Sequence, residues 1–301
     1  MSSQAVMAAV HKREMVLCRV CSSPNHIPYA EALGFRIVLC RDCGLWYVNP
    51  QPTVEELEQF YAEYDEGIQW RQNEEQFNGR MRDAVMSLKC RGTVLDVGCG
   101  SGNFLLCMHK AGYAVFGIEP SRTGSEYTKA SHGVEVFNGM VEEYLSLPNH
   151  RSFDVITILN VLEHLTDPAK TLSQISQLMN PGAILAIVVP NAQFHALLGT
   201  VRRRLGVSDP YWLNCPGSFA CGFKLPHHLS SFKPDTISAL AKRCGFVVEV
   251  IKNAPMIHNT AVHRNIGKWL VRSLGQAIYY LSLRRIVFGY SILLLARKES
   301  N

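Results

Sequence analysis

The chain has 301 residues, 47% of them apolar and 18% charged, a balance that excludes a disordered polar chain and leaves room for one large domain plus a small module. A formal charge of +5 is too mild to indicate nucleic acid as a partner by itself. The N-terminus carries no apolar run followed by a small-residue cleavage site, so no signal peptide is expected.

Residues 1–15 read as a flexible leader, and a zinc-ribbon-like module follows over 16–50. Cys18, Cys21, Cys40 and Cys43 form two C-x2-C pairs at the spacing of a zinc ribbon. Four thiolates fill a tetrahedral Zn²⁺ and leave no open position, so the expected role of the metal is structural. The alternative is four unrelated cysteines in a reducing compartment. Zinc thiolates and six further cysteines (Cys90, Cys99, Cys107, Cys215, Cys221 and Cys244) together imply a cytoplasmic setting.

Leu45–Val48 reads as a strand that Asn49-Pro50-Gln51-Pro52 ends. Thr53 and Glu56 have the spacing of a capping box for a helix over 54–63. A polar segment over 65–80 then leads into a helix ending near Arg91-Gly92, which makes 51–92 a helical linker or cap.

From residue 93 strands and helices alternate. Strands are predicted at 93–97, 114–118, about 134–137, 153–159, 183–189, 246–251 and 291–296. Helices are predicted after the first strand and around 121–131, 168–179 and 234–244. The stretch Phe153–Leu159 is nearly all apolar or β-branched, the mark of a parallel strand buried on both faces. The fold predicted for 93–301 is α/β, a doubly wound, mostly parallel seven-stranded sheet. Insertions at about 190–232 and 252–287 break the rhythm. The first leaves the carboxyl end of the fifth strand, where ligands bind in such sheets, so it is expected to roof a site.

The site itself is marked by Val94-Leu95-Asp96-Val97-Gly98-Cys99-Gly100-Ser101-Gly102. A short apolar strand runs through an acid into three glycines and then a helix, a turn that presents bare backbone to a nucleoside-bearing cofactor. The third glycine comes one residue too early for a dinucleotide fingerprint. Asp96, two residues before the first glycine, can pair with the ammonium of an amino-acid moiety, which S-adenosylmethionine (SAM) has and NAD lacks. Glu119 ends the next apolar strand, where a carboxylate can accept both ribose hydroxyls.

With these residues the chain resembles the class I SAM-dependent methyltransferases, and more narrowly their zinc-ribbon-bearing branch similar to ubiquinone-biosynthesis-type methyltransferases. Further support comes from Gly117-Ile118-Glu119-Pro120 and from Asn160-Val161-Leu162-Glu163-His164-Leu165-Thr166-Asp167-Pro168. Asn180-Pro181-Gly182, Val189-Pro190-Asn191, His228-Leu229 and Cys244-Gly245-Phe246 match later parts of the family pattern. The resemblance implies a Rossmann-like methyltransferase fold. It implies that Asp96, Gly98 and Gly100, with Cys99 in the same loop, hold the methionine end and that Glu119 holds the ribose. Asn138 stands where the family's adenine contact is commonly Asp, and Asn160 would line the floor beneath the sulfonium.

Methyl transfer from a sulfonium is an in-line displacement that depends chiefly on positioning, and an oxygen or carbon acceptor must also lose a proton. Three histidines are candidates, with His164 and His228 the candidate bases. His164 follows the fourth strand, and His228 lies in the first insertion, with His227 as its neighbour. A structural hydrogen-bonding role is the alternative for both.

Phe194, Tyr211, Trp212 and Phe219 in the first insertion could wall an apolar acceptor. The stretch 266–287 has helical apolar spacing, interrupted by Arg272, Gln276, Arg284 and Arg285, with no apolar span of membrane-crossing length. It reads either as a helix packed on protein or as a peripheral contact with the inner membrane face. The expected partner is a small-molecule, sugar or lipid-linked acceptor, with O-methylation favoured. The rivals are an RNA methyltransferase with the ribbon as reader and a non-catalytic SAM-fold interaction protein. A nicotinamide oxidoreductase is disfavoured by the glycine spacing. Against the RNA reading, residues 16–50 carry no dense basic stripe.

Overall fold

The structure, a computed structural model, describes residues 13–32, 34–53, 57, 75–204, 223, 225, 228–255, 262–283 and 286–299. The expected helix over 54–63 therefore lies outside the described residues apart from Leu57, as do Tyr211, Trp212, Phe219 and His227.

The ribbon comprises β1 (Arg13–Glu14), β2 (His26–Ala32), β3 (Phe35–Cys40), β4 (Trp46–Val48) and β5 (Gln51–Pro52). Arg13 and Glu14 pair antiparallel with Pro52 and Gln51, so ordered pairing begins inside the segment read as a leader. Helix α1 (Glu75–Met86) starts earlier and stops earlier than its polar surroundings suggested. Phe77, Met81 and Val85, spaced by four, are buried, and Asn78 is buried with them, while Glu75, Gln76 and Asp83 are exposed.

The α/β unit then runs β6 (Thr93–Val97), α2 (Asn103–Lys110), β7 (Ala114–Glu119), α3 (Arg122–His132), β8 (Val136–Asn138), α4 (Val141–Leu145), β9 (Phe153–Leu159), α5 (Pro168–Gln177) and β10 (Met179–Pro190). It continues with α6 (Ala192–Arg204), β11 (Ser230–Ser231), α7 (Pro234–Arg243), β12 (Phe246–Asn253), α8 (Val262–Leu281) and β13 (Ser291–Lys298). Local chemistry sets the helix ends. The Ser121 hydroxyl accepts from Gly124 N to open α3, and Asp167 accepts from Lys170 N, with Pro168 in the first turn, to open α5.

Seven strands form one sheet in the order β12-β13-β10-β9-β6-β7-β8. The β10–β9, β9–β6, β6–β7 and β7–β8 pairs are parallel, and β13 lies antiparallel to both β10 and β12. Alternation along each strand separates two cores. Leu95, Ile156, Leu185 and Ile187 pack on one face with Leu172 and Ile237. Val94, Val155, Ile184 and Ala186 pack on the other with Met81 and Met108.

The ribbon does not stand apart. β11, from the first insertion, completes its sheet in the order β11-β4-β3-β2, and Cys18, Val20, Leu45 and Tyr47 share the larger core of the α/β unit. Arg243, at the end of α7, donates to Val20 O (2.6 Å) and Ser22 Oγ (2.8 Å) of the first cysteine knuckle. Among the described residues no helix is long and apolar enough to cross a membrane.

Candidate functional site

The glycine loop follows β6 at the carboxyl edge of the parallel strands. Gly98, Gly100 and Gly102 all have left-handed backbone, with φ of 70°, 54° and 69°. Space matters as much as φ. A Cβ on Gly98 would stand 2.6 Å from Val161 Cγ2, and one on Gly102 would stand 2.3 Å from Thr128 Cγ2. Only bare backbone fits there. Gly98 N and Cys99 N donate to Ile118 O (2.8 and 3.2 Å), which lays the loop along β7. Cys99 is buried, and its Sγ stands 2.6 Å from where a Cβ on Gly117 would be, so the side chain turns into the fold.

Asp96 is 3% exposed and accepts from the Thr157 hydroxyl at 2.6 Å. Glu119 holds the loop's shape: Oε2 accepts from Gly100 N (2.7 Å) and Oε1 from Ser121 N (2.8 Å). Asn138 donates from Nδ2 to Glu119 O (2.9 Å) and Pro120 O (3.1 Å). Asp96, Glu119 and Asn138 thus sit on three adjacent strands, β6, β7 and β8. Asn160, just past β9, has φ 55°, a conformation non-glycine residues seldom adopt, and its N–H donates to Val188 O.

A donor set of this kind suits SAM: a buried carboxylate, a cradle that a Cβ would fill, and a second carboxylate at the next strand end. Thr157 is the partner that sequence reasoning missed. Its signal is a lone hydroxyl inside an otherwise apolar buried strand.

The two histidines come together. His164 ends a one-turn 3₁₀ helix (Leu162–His164), and His228 precedes β11, with ring centroids 4.8 Å apart and the rings edge to face at 81°. Glu163, also missed, completes the group. Its carboxylate lies 3.9 Å from His164 Nε2, and the residue is 2% exposed. Glu163, His164 and His228 each offer an N or O atom within 4.8 Å of the others.

Burial pushes the Glu163 carboxyl up to about 8 from its ordinary 4.5, so it is neutral at pH 7. A raised folded-state value means that the stability contribution is full below 4.5 and is lost as pH climbs through 8. A Glu163→Gln variant is therefore expected to flatten the fall in Tm between pH 5 and pH 8. Thermal melts should show wild type losing roughly 5 °C or more across that window, against little change in the variant.

The four ribbon cysteines converge. Cys18 and Cys43 sulfurs are 3.4 Å apart, Cys21 and Cys40 sulfurs 3.6 Å apart, and all four lie within 4.8 Å of one another. Tetrahedral Zn–S bonds of about 2.3 Å require sulfurs about 3.8 Å apart, so the set fits zinc after a small adjustment. The contact between the two sulfurs draws Cys18 down to about 5 and holds Cys43 well above its usual range. A dication relieves that competition, because all four can then be thiolates.

Residues 70–250, more than half of the chain, match a family described as a methyltransferase domain. The ubiquinone biosynthesis O-methyltransferase of Ralstonia nicotianae is 37% identical over 160 residues, covering 50% of this chain and 61% of that protein. Its namesake from Rhodopseudomonas palustris is 32% identical over 153 residues, 46% of this chain and 57% of that protein. The chain spans about half the length of the curated relatives it matches. Among solved structures, a complex of the Haloferax volcanii Trm112 methyltransferase activator with a methyltransferase aligns with a TM-score of 0.52 at 15% identity, over 82% of this chain and 97% of that one. The [4+2]-cyclase SpnF aligns with a TM-score of 0.51 at 17% identity, over 84% of this chain and 99% of that one. Likeness at that level of identity shows the fold.

Proposed function

The chain belongs to the class I SAM-dependent methyltransferases, and from that premise we propose that it transfers a methyl group from SAM to an oxygen of a small-molecule, sugar or lipid-precursor acceptor. The carrying observation is the histidine pair beside a complete cofactor loop. Bound SAM supplies an electrophilic methyl on a good leaving group. Asp96 takes the amino-acid end, Glu119 the ribose, Asn138 the adenine side and Asn160 the floor beneath the sulfonium, while the loop from Gly98 to Gly100 contributes backbone. His228, steadied by His164, accepts the proton of the acceptor hydroxyl as the C–O bond forms. Glu163, neutral and buried, keeps the pair in a low-dielectric pocket where a positive imidazolium forms only transiently.

Zinc in the Cys18, Cys21, Cys40 and Cys43 set is structural in this reading. Leu274, Tyr280 and Leu281 on α8 and Leu283 and Ile286 beyond it are exposed apolar side chains, and arginines stand beside them in sequence at 284 and 285. They favour peripheral contact with an anionic membrane face if the acceptor is lipid-linked. The ubiquinone O-methyltransferase names of the relatives support an oxygen acceptor.

The test is transfer from labelled SAM into a cell extract, followed by separation into lipid, RNA, protein and small polar fractions. Label in the lipid or small polar fraction is expected. Label confined to RNA or protein would replace this reading, and no label despite measurable SAM binding would remove the enzymatic assignment.

A further inference from the structure

We propose that the cysteine ribbon is a positioning element of the acceptor side of the site, so that its metal state sets the placement of the histidine pair without touching the SAM loop. The inference rests on the acceptor-side reading of His164 and His228 given above.

A short backbone relay carries it. In the second knuckle Gly44 N donates to Cys40 O (3.0 Å) and Cys40 N to Leu45 O (2.9 Å), and the chain leaves Leu45 directly into β4. Val48 N, at the end of β4, donates to Leu229 O (2.9 Å), and Leu229 N donates to Glu163 O (2.8 Å). His228 and His164 are the chain neighbours of those two relay residues. Three segments distant in sequence meet in two hydrogen bonds, and each histidine is one residue from the meeting point.

The segment that follows His228 pairs with the ribbon. β11 is two residues long, and its partners are Tyr47 and Trp46 of β4. Beyond it, Phe232 makes one isolated bridge to Asn191. The seam is buried: Tyr47, Val48, Leu229 and Ser230 are all at 0% exposure. It is also polar. The Tyr47 hydroxyl, Ser230 Oγ and Glu163 Oε2 are buried side-chain atoms with no hydrogen-bond partner among the described residues. Such atoms are costly, and they concentrate where geometry is held for function.

β4 leaves the second knuckle directly, so a metal that fixes the knuckle also fixes the start of the strand on which β11 pairs. Losing the metal is expected to loosen the ladder partner of β11. The SAM loop depends on other bonds, Thr157 to Asp96 and Gly100 to Glu119, and none of these involves the ribbon.

The experiment uses the whole protein under reducing conditions, with zinc present, removed by chelation and restored, and with Cys43→Ser alongside. Amide hydrogen exchange, the SAM dissociation constant and methyl-transfer turnover are measured together. Metal removal is expected to speed exchange at 229–232 by about tenfold or more, while β6 and β9 stay protected and SAM affinity changes by less than about twofold. Turnover falls at least about tenfold, and zinc restores both signals. Unchanged protection at 229–232 once the ribbon itself opens would overturn the proposal. So would equal loss of protection in β6 and β9, which would make the metal a general stabiliser. Faster exchange at 229–232 with turnover intact would overturn the acceptor-side role of the histidines, while the mechanical link itself would stand.

Discussion

Replacing His228 by Ala is expected to lower turnover by about 10²–10⁴-fold while leaving the SAM dissociation constant within about twofold of wild type. The residue is well placed for such a split. It lies in the first insertion, beside His164, and the bonds from Gly100 N and Ser121 N to Glu119 do not involve it. Its backbone is held by the ribbon seam, so truncation at Cβ should leave the surrounding fold in place. Steady-state kinetics with the acceptor named by the labelling experiment, paired with calorimetric SAM binding, gives both readouts. A folded variant that loses SAM affinity and turnover in parallel would show His228 to be structural. His164→Ala is the natural comparison, with a smaller loss if His164 only orients its neighbour.

The second large effect concerns the cofactor itself. Glu119→Ala is expected to weaken SAM binding by about 100-fold or more, measured by calorimetry. The substitution removes the proposed ribose acceptor and also strips the partners from Gly100 N and Ser121 N. Each hydrogen bond to a charged group contributes about 1.5–3 kcal/mol, and an N–H left unpaired costs a comparable amount. Glu119→Gln retains one acceptor oxygen and should lose less. If Glu119→Ala binds SAM as wild type does, the carboxylate serves the loop alone and the ribose contact lies elsewhere.

The pattern of strands and helices from residue 93 onward was legible because its physics is local. Strands buried on both faces read as largely apolar and β-branched runs, as in Phe153–Leu159, and left-handed glycines such as Gly133 end the helices. The glycine loop, Asp96 and Glu119 were legible for the same reason, since one turn and two strand ends carry them. The antiparallel run of β13 was not, because strand direction depends on how α8 returns the chain to the sheet. Helix α4 is five residues long, too short to show a period. Glu163 was read only as part of a motif. Nothing local announces that it will be buried where Leu229, which lies 66 positions further along the chain, donates to its backbone carbonyl. β11 was invisible for a related reason: two serines become a strand only because Trp46 and Tyr47 arrive beside them.

That borrowed strand also orders events during synthesis. The knuckles, β2, β3 and β4 leave the ribosome early and can gather zinc at once. The outer edge of β4 then stays unpaired until Ser230 and Ser231 emerge, about 180 residues later. In that interval the nascent chain carries an open strand edge rich in aromatic residues, the kind of surface that pairs with the wrong partner or calls for a chaperone. Covering that edge and bringing His228 to His164 are then the same late event. A chain that has not finished folding would therefore already hold all four ribbon cysteines while His228 and His164 were still apart.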